Sequence, residues 1–143
     1  MSQWQLLPSM GISSSGLEAE RVRMDVAAHN LANAHSTRSA DGPAYQRRQV
    51  VFSSVLDESL RSASDRLGGV RVEDIVTDDR PPVQKYAPYH PHANAEGMIE
   101  TPNISPLEEM IDMITATRAY EANLSALKQS ADMAKQTIQL GRQ

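Results

Sequence analysis

The chain has 143 residues, a formal net charge of −4 and no cysteine. This length suits one ordinary domain, the lack of cysteine excludes a disulfide framework and cysteine-ligated zinc, and the acidic balance argues against the basic stripe typical of nucleic-acid binding. Aromatic residues make up only 4% of the chain, so a self-sufficient core built on large aromatic side chains is not expected.

The first residues carry no signal for secretion or membrane anchoring. Met1 to Ile12 lack a basic segment followed by an apolar one, which is the pattern of a cleaved secretory signal. No run anywhere approaches the roughly 20 apolar residues that cross a bilayer. The default expectation is therefore a cytoplasmic protein that spans no membrane, unless it is exported without cleavage.

A first helix is predicted from about Ser9 to His35. Its residues recur at spacings of three and four, the pattern of a coiled-coil seam. The seam consists of Met10, Ser13, Leu17, Glu20, Met24, Ala27, Leu31 and Ala34. Ser15 followed by Glu18 has the form of a capping box, so the helix starts either near Ser9 or near Ser15, and both starts stay open.

The middle of the chain predicts only a small β element. A turn at Asp41-Gly42-Pro43 precedes strand candidates at 45–53, 70–77 and 83–87, and a long loop covers 86–97. Two or three such strands are marginal on their own. Two imidazoles do not make a metal site, so His90 and His92 predict an exposed loop, and no metal or cofactor is expected.

A second helix is predicted over 106–140. Ser105 is the N-cap, Pro106 the first helical residue and Glu108 the third, which is a capping box with proline where its missing N–H is harmless. Its seam consists of Met110, Met113, Thr117, Tyr120, Leu124, Leu127, Ala131, Ala134 and Ile138. Leu107, Ile111 and Ile114 form a further apolar stripe beside this seam, so the helix needs two sets of neighbours.

No catalytic arrangement stands out, and the chain is predicted not to be an enzyme. There is no Gly-x-Ser-x-Gly elbow. Arg47 and Arg48 could contact an acidic partner or lie on a solvated strand edge. Asn30 and Asn33 are expected to cap and turn the end of the first helix, since asparagine tolerates left-handed backbone.

Four segments in order carry a family resemblance. Arg21 to Ala34, and above all Asn30-Leu31-Ala32-Asn33, resembles the amino-terminal signature of the bacterial flagellar rod and hook proteins. Three further segments resemble the branch of this family that forms the proximal rod. They are 41–52, 93–97 with 102–103, and 108–123. His35 departs from the family, whose members often carry Asn or Asp there.

The resemblance implies a structural subunit of a hollow axial tube, the drive shaft that transmits torque and carries the export channel. It implies subunits that leave the cytoplasm unfolded through the flagellar type III export apparatus, without a cleaved signal. They would then polymerise in the periplasm with copies of themselves and other rod proteins. The alternative is a cytoplasmic coiled-coil adaptor.

The expected fold class is mainly α, with two long terminal helices pairing as a coiled-coil-like inner domain and a small β-hairpin-type insertion. The N-terminal helix occupies 1–35, the loop and β insertion 36–104, and the C-terminal helix 105–143. The predicted assembly interface comprises Leu17, Met24, Asn30, Leu31, Asn33, Met110, Met113, Tyr120, Leu124, Leu127 and Ile138.

Overall fold

The computed structural model describes residues 8–37, 42–56 and 67–141. The elements are α1 (Pro8–Asn33), β1 (Arg48–Leu56), β2 (Leu67–Thr77), β3 (Val83–Tyr86), β4 (Met98–Thr101) and α2 (Pro106–Leu140). The chain is thus mainly α with a minor β part, as predicted. The opening residues 1–7 and Asp41 of the predicted turn lie outside the described residues. Neither helix of the described ranges is long and apolar enough to cross a membrane.

The start of α2 follows its local sequence signals. Ser105 has extended backbone, and its hydroxyl accepts a hydrogen bond from the backbone N–H of Glu108 at 3.5 Å. Pro106 is the first helical residue. The predicted range 106–140 agrees with the observed helix because these signals need no distant partner.

The start of α1 differs from one of the two expectations. The helix begins at Pro8, so the capping box predicted at Ser15 and Glu18 is wrong. The Ser15 hydroxyl instead donates to the backbone oxygen of Ile12 at 2.8 Å and accepts from the backbone N–H of Val70 at 3.1 Å. Gly69 has a φ of +110°, and a Cβ there would collide with this hydroxyl, so the close approach of β2 to α1 requires glycine.

The two helices pack antiparallel to each other. Gly16, early in α1, lies against Asn123, late in the packed part of α2, whereas Asn30 near the end of α1 contacts Glu109 at the start of α2. A Cβ on Gly16 would lie 2.8 Å from the Asn123 amide nitrogen. Small residues therefore set the close approach of the two helices.

The core is made mostly of alanine. The buried apolar side chains of the described residues are Ala19, Val26, Ala27, Ala34, Ala44, Ile99 and Ala116. In the same ranges, fifteen large apolar side chains are exposed. Since hydrophobic stabilisation scales with the apolar area removed from water, these fifteen side chains contribute only part of their possible stabilisation within a single chain.

The strands form two separate two-stranded antiparallel sheets. In the first, Arg48 lies opposite Thr77, and a register shift after Val51 leaves an extra residue in β2. In the second, β3 pairs with β4, a strand that was not predicted. The first sheet lies against α1, whereas the β3–β4 hairpin packs on no other helix or strand of the described ranges.

Candidate assembly interface

Asn30 joins three elements through its side-chain amide. Its Nδ2 donates to the backbone oxygen of Arg48 at 2.8 Å and to Oε2 of Glu109 at 3.0 Å. Its Oδ1 accepts from the backbone N–H of Arg48 and from the hydroxyl of Tyr45, both at 3.0 Å. An amide has two donor hydrogens and two acceptor lone pairs, so this buried group is fully satisfied and fixes α1 against β1 and α2.

A buried ion pair adjoins this amide. Nε of Arg47 donates to Oε1 of Glu109 at 2.6 Å, and Glu109 is only 1% exposed. The terminal nitrogens of Arg47 lie 3.9 Å from Asp78 and 3.8 Å from Asp112. The backbone N–H of Arg80, above all, lowers the pKa of Asp78. Both oxygens of Glu109 thus have donors, which compensates the cost of burying its charge.

These contacts define the polar junction, which comprises Asn30, Tyr45, Arg47 and Glu109. Burial raises the pKa of Tyr45, the Arg48 guanidinium opposes that shift and the charge of Glu109 adds to it. The phenol therefore stays protonated at neutral pH and donates to the Asn30 amide. The polar junction links α1, the segment before β1 and α2 in one hydrogen-bonded unit.

The predicted interface residues of α1 have varied surroundings. Asn30 is buried in the polar junction, whereas Leu17, Met24 and Leu31 are half-buried. Asn33 is also half-buried, and its Nδ2 donates to the oxygen of His29 in the preceding turn at 2.8 Å. The expectation that Asn30 caps and turns the helix end is therefore wrong, because its amide joins distant elements, whereas the Asn33 amide bonds within its own helix.

The predicted interface residues of α2 lie beside its most buried row. Met113, Tyr120, Leu124 and Leu127 are half-buried, and Met110 and Ile138 are 47% and 64% exposed. The fully buried residues of the described part of α2 are Glu109 and Ala116, each one position before a residue of the predicted seam. Thr117, in that seam, donates its hydroxyl to the backbone oxygen of Met113 at 2.8 Å and lies 3.4 Å from Sδ of Met24.

An apolar stripe lies on the other side of α2. It comprises Leu107, Met110, Ile111 and Ile114, which are 68%, 47%, 55% and 57% exposed. Spacings of three, four and seven put these residues on one helix face, about half a turn away from Glu109 and Ala116 at 3.6 residues per turn. A contiguous exposed apolar surface of this kind is typical of a protein–protein contact.

The histidines of the long loop contact other loop groups. Nδ1 of His90 accepts from the backbone N–H of His92 at 3.1 Å, and Nδ1 of His92 lies 2.9 Å from the hydroxyl of Thr37. Within the described residues, no three His, Asp or Glu side chains are grouped in a way that could hold a metal ion. Both histidines therefore take part in hydrogen bonds of the loop and of the segment after α1.

Nothing in the sequence pattern marks Arg47 as the partner of Glu109. Glu109 is one of several acidic residues near the start of α2, where the helix dipole accounts for it. Arg47 lies 62 residues away in the chain. The one local signal is Asn30 itself, a polar residue whose helical neighbours Val26, Ala27 and Ala34 are buried and apolar.

Comparisons with known proteins agree across the chain. The family described as "Flagella basal body rod protein" matches residues 10–38, and "Flagellar basal body rod FlgEFG protein C-terminal" matches 95–140. The flagellar basal-body rod protein FlgC of Bacillus subtilis is 37% identical, with 94% of this chain and 97% of the relative covered. The proteins of the same name from Escherichia coli O6:H1 and Borreliella burgdorferi are 36% and 35% identical, with 96% and 93% of this chain and 98% and 95% of each relative covered.

Proposed function

Since the chain belongs to the family of the flagellar basal-body rod protein FlgC and is a structural subunit of the rod, we propose that it polymerises through its two terminal helices into the hollow proximal shaft. In this proposal the helices of neighbouring subunits form a coiled-coil-like inner layer, which transmits torque and encloses the export channel. The work of the chain is mechanical, and it catalyses no reaction.

The exposed apolar stripe on α2 is the observation that carries this proposal. Full burial of one large aliphatic side chain stabilises by about 1.5–3 kcal/mol. The four stripe residues are each about half exposed, so covering them contributes roughly 3–6 kcal/mol before the cost of ordering the partners. A subunit in a tube has neighbours on several sides, so a contribution of this size from one contact is sufficient to hold the subunit in the assembly.

The polar junction supports a mechanical role. A subunit that passes on torque needs its parts held at a fixed mutual angle. Hydrogen bonds are directional, and the amide of Asn30 has every bond filled. We therefore assign to the polar junction the task of keeping the sheet in one orientation relative to the helix pair.

Export and location follow from the same proposal. The subunit passes unfolded through the flagellar type III apparatus without a cleaved signal, and assembles in the periplasm with copies of itself and other rod proteins. A core built mainly of alanine and the absence of cysteine support this route, because little burial and no disulfide oppose unfolding. The relatives lend no support to a cytoplasmic adaptor, since each is named as a rod protein.

The test places a charge on the stripe. Ile111→Asp should lower the amount of subunit in purified basal bodies at least about tenfold, because burying an unpaired carboxylate costs several kcal/mol. Its control is Gln129→Asp, which adds the same charge at an exposed polar position of the same helix. Immunoblots of basal bodies and of the exported fraction give both amounts. Normal incorporation of Ile111→Asp would overturn the proposed interface.

A further inference from the structure

The outer edge of β1 carries backbone groups that point away from β2. In an antiparallel pair, successive residues direct their N–H and C=O alternately toward and away from the partner strand. The backbone oxygen of Arg47 accepts from the N–H of Asp78 at 2.7 Å, so the backbone N–H and C=O of Arg47 point toward β2. By the register of the sheet, the backbone N–H and C=O groups of Arg48, Val50 and Phe52 then point away from β2. These three residues are called outward residues below.

The first outward residue of this edge is already paired. The side-chain amide of Asn30 donates to the backbone oxygen of Arg48 and accepts from its N–H, as a residue of a neighbouring strand would. The next two outward residues, Val50 and Phe52, have no hydrogen-bond partner for these groups among the described residues. The outer edge of β1 thus has its backbone groups paired at Arg48 and unpaired at Val50 and Phe52.

Two outward N–H groups of β2, by contrast, have partners within the chain. The hydroxyl of Ser15 accepts from the N–H of Val70 at 3.1 Å, and Oδ1 of Asp74 accepts from the N–H of Ile75 at 2.7 Å. Proteins commonly block free strand edges, because such edges invite pairing with another chain. Val50 and Phe52 have no such partners among the described residues, so the outer edge of β1 is the candidate site for a partner strand.

The free edge opens into a groove. Its volume is about 400 Å³, and its lining includes Val50 and Phe52 from β1, Ala27 from α1, and Glu109 and Asp112 from α2. This volume lies within the roughly 300–1,000 Å³ of ordinary binding clefts. The groove is therefore large enough for a short extended segment.

A matching free edge lies on β3. The N–H of Ala87 donates to the oxygen of Gly97 at 2.9 Å, so by alternation Lys85 faces β4, while Gln84 and Tyr86 face outward. All four residues of β3 are exposed. Pro82, the next outward position, has no N–H, which limits the free edge to two residues.

We propose that β3 of a second copy pairs with the outer edge of β1, with Gln84 and Tyr86 opposite Val50 and Phe52. β3 offers two outward residues, whose donors and acceptors match those of Val50 and Phe52. This pairing rests on the proposed function, because polymerisation into a rod requires contacts between two different surfaces of successive copies. A contact between two different surfaces can repeat from copy to copy, as a helical filament requires.

Cysteine cross-linking tests the pairing directly, because the chain has no cysteine of its own. Two differently tagged chains, one with Val50→Cys and the other with Gln84→Cys or Tyr86→Cys, are expressed together, and their basal bodies are oxidised. The mixed dimer should exceed either homodimer several-fold. A yield no higher than with Ser125→Cys, which places the thiol at an exposed site on α2, overturns the proposal, as does cross-linking only to a different protein.

Backbone variants separate this contact from the stripe on α2. Gln84→Pro removes an outward N–H and leaves the bonds to β4 in place, whereas Gln84→Ala keeps the N–H. Gln84→Pro should lower incorporation about tenfold, the loss expected for one or two main-chain hydrogen bonds, and Gln84→Ala less than about twofold. Circular dichroism verifies that both variants fold.

The combination of outcomes distinguishes the two proposals. If Gln84→Pro enters basal bodies as well as Gln84→Ala does, while Ile111→Asp is excluded, the strand pairing is wrong and helix-mediated polymerisation stands. If Ile111→Asp is incorporated normally and the Val50–Gln84 cross-link forms, the strand pairing stands and polymerisation through the helices is wrong.

Discussion

The two faces of α2 reverse the usual distribution of polar and apolar groups. Toward α1, the helix buries Glu109, a charged residue with 1% exposure. On the opposite side, Ile111 and Ile114 are more than half exposed. In most soluble proteins the aliphatic groups would be covered and the carboxylate would face water.

The difference teaches which interactions belong to the subunit and which belong to the assembly. The polar junction is complete within one chain, since Asn30 and Glu109 have all their partners there. The apolar stripe is incomplete within one chain, because nothing in the described residues covers it. The comparison therefore predicts that substitutions in the polar junction affect folding, whereas substitutions in the stripe affect assembly.

Glu109→Ala should have the largest effect on folding. It leaves the Arg47 guanidinium, which is 12% exposed, without its closest partner, and breaking a buried ion pair in this way costs about 3–5 kcal/mol. Urea denaturation of the full chain measures the free energy of unfolding. Glu108→Ala, at the exposed neighbouring position, should cost no more than about 1 kcal/mol, the usual value of a carboxylate in the first turn of a helix, and equal losses for both variants would refute the role of the polar junction.

Asn30→Ala should have the next largest effect. It removes one amide that makes four hydrogen bonds and leaves buried partners unpaired, at a cost of about 1–3 kcal/mol. Asn33→Ala is the matched control, since it removes one bond to the preceding turn and should cost less than about 1 kcal/mol. If the two asparagines prove equivalent in thermal or urea unfolding, the network around Asn30 does not hold the elements together.

Tyr45 should give the chain a sensitivity to alkaline pH. Burial raises the pKa of this phenol above its ordinary value of 10.0, so the folded state holds the proton more tightly than the unfolded state. The contribution to stability is complete below pH 10 and is lost as the pH rises through the folded-state pKa. Tyr45→Phe should lose about 1 kcal/mol at pH 7, and its unfolding free energy should fall less between pH 9 and 11 than that of the unsubstituted chain.

Ile111→Asp should have the smallest effect on folding. Its side chain is 55% exposed, and surface substitutions usually change stability by no more than about 0.5 kcal/mol. The same variant is expected to fail in assembly, so its unfolding free energy should be nearly unchanged while its incorporation into basal bodies is strongly lowered. A large loss of stability would mean that the stripe is already covered within one chain.

Local signals predicted the helices better than their contacts. Ser105 and Pro106 set the start of α2 through groups a few residues apart, so the sequence sufficed. The buried row of α2 could not be found in this way, because Glu109 is buried only by virtue of Arg47, whose position depends on the whole fold. A rule that places large apolar residues inside favours the seam through Met110, which is half exposed.

The β part shows the same limit. β4 has four residues, too few for a period, and its pairing with β3 depends on a loop with Gly97 at a φ of +76°. The capping box at Ser15 failed for a related reason, since that hydroxyl bonds to Val70 in a strand 55 residues away. Asn30 was predicted to cap and turn the end of α1, but it joins three elements instead, through partners that only the fold brings near.

Because α1 and α2 are antiparallel, the two ends of the helix pair carry different parts of the chain. Pro8 and Leu140 lie toward one end of the helix pair, and the loop between β3 and β4 belongs to the other. An epitope inserted near Tyr89, whose side chain is fully exposed, would mark one end of the helix pair, and an epitope on the exposed last turn of α2 would mark the other. Epitopes at the two places would show which way every molecule points along the shaft.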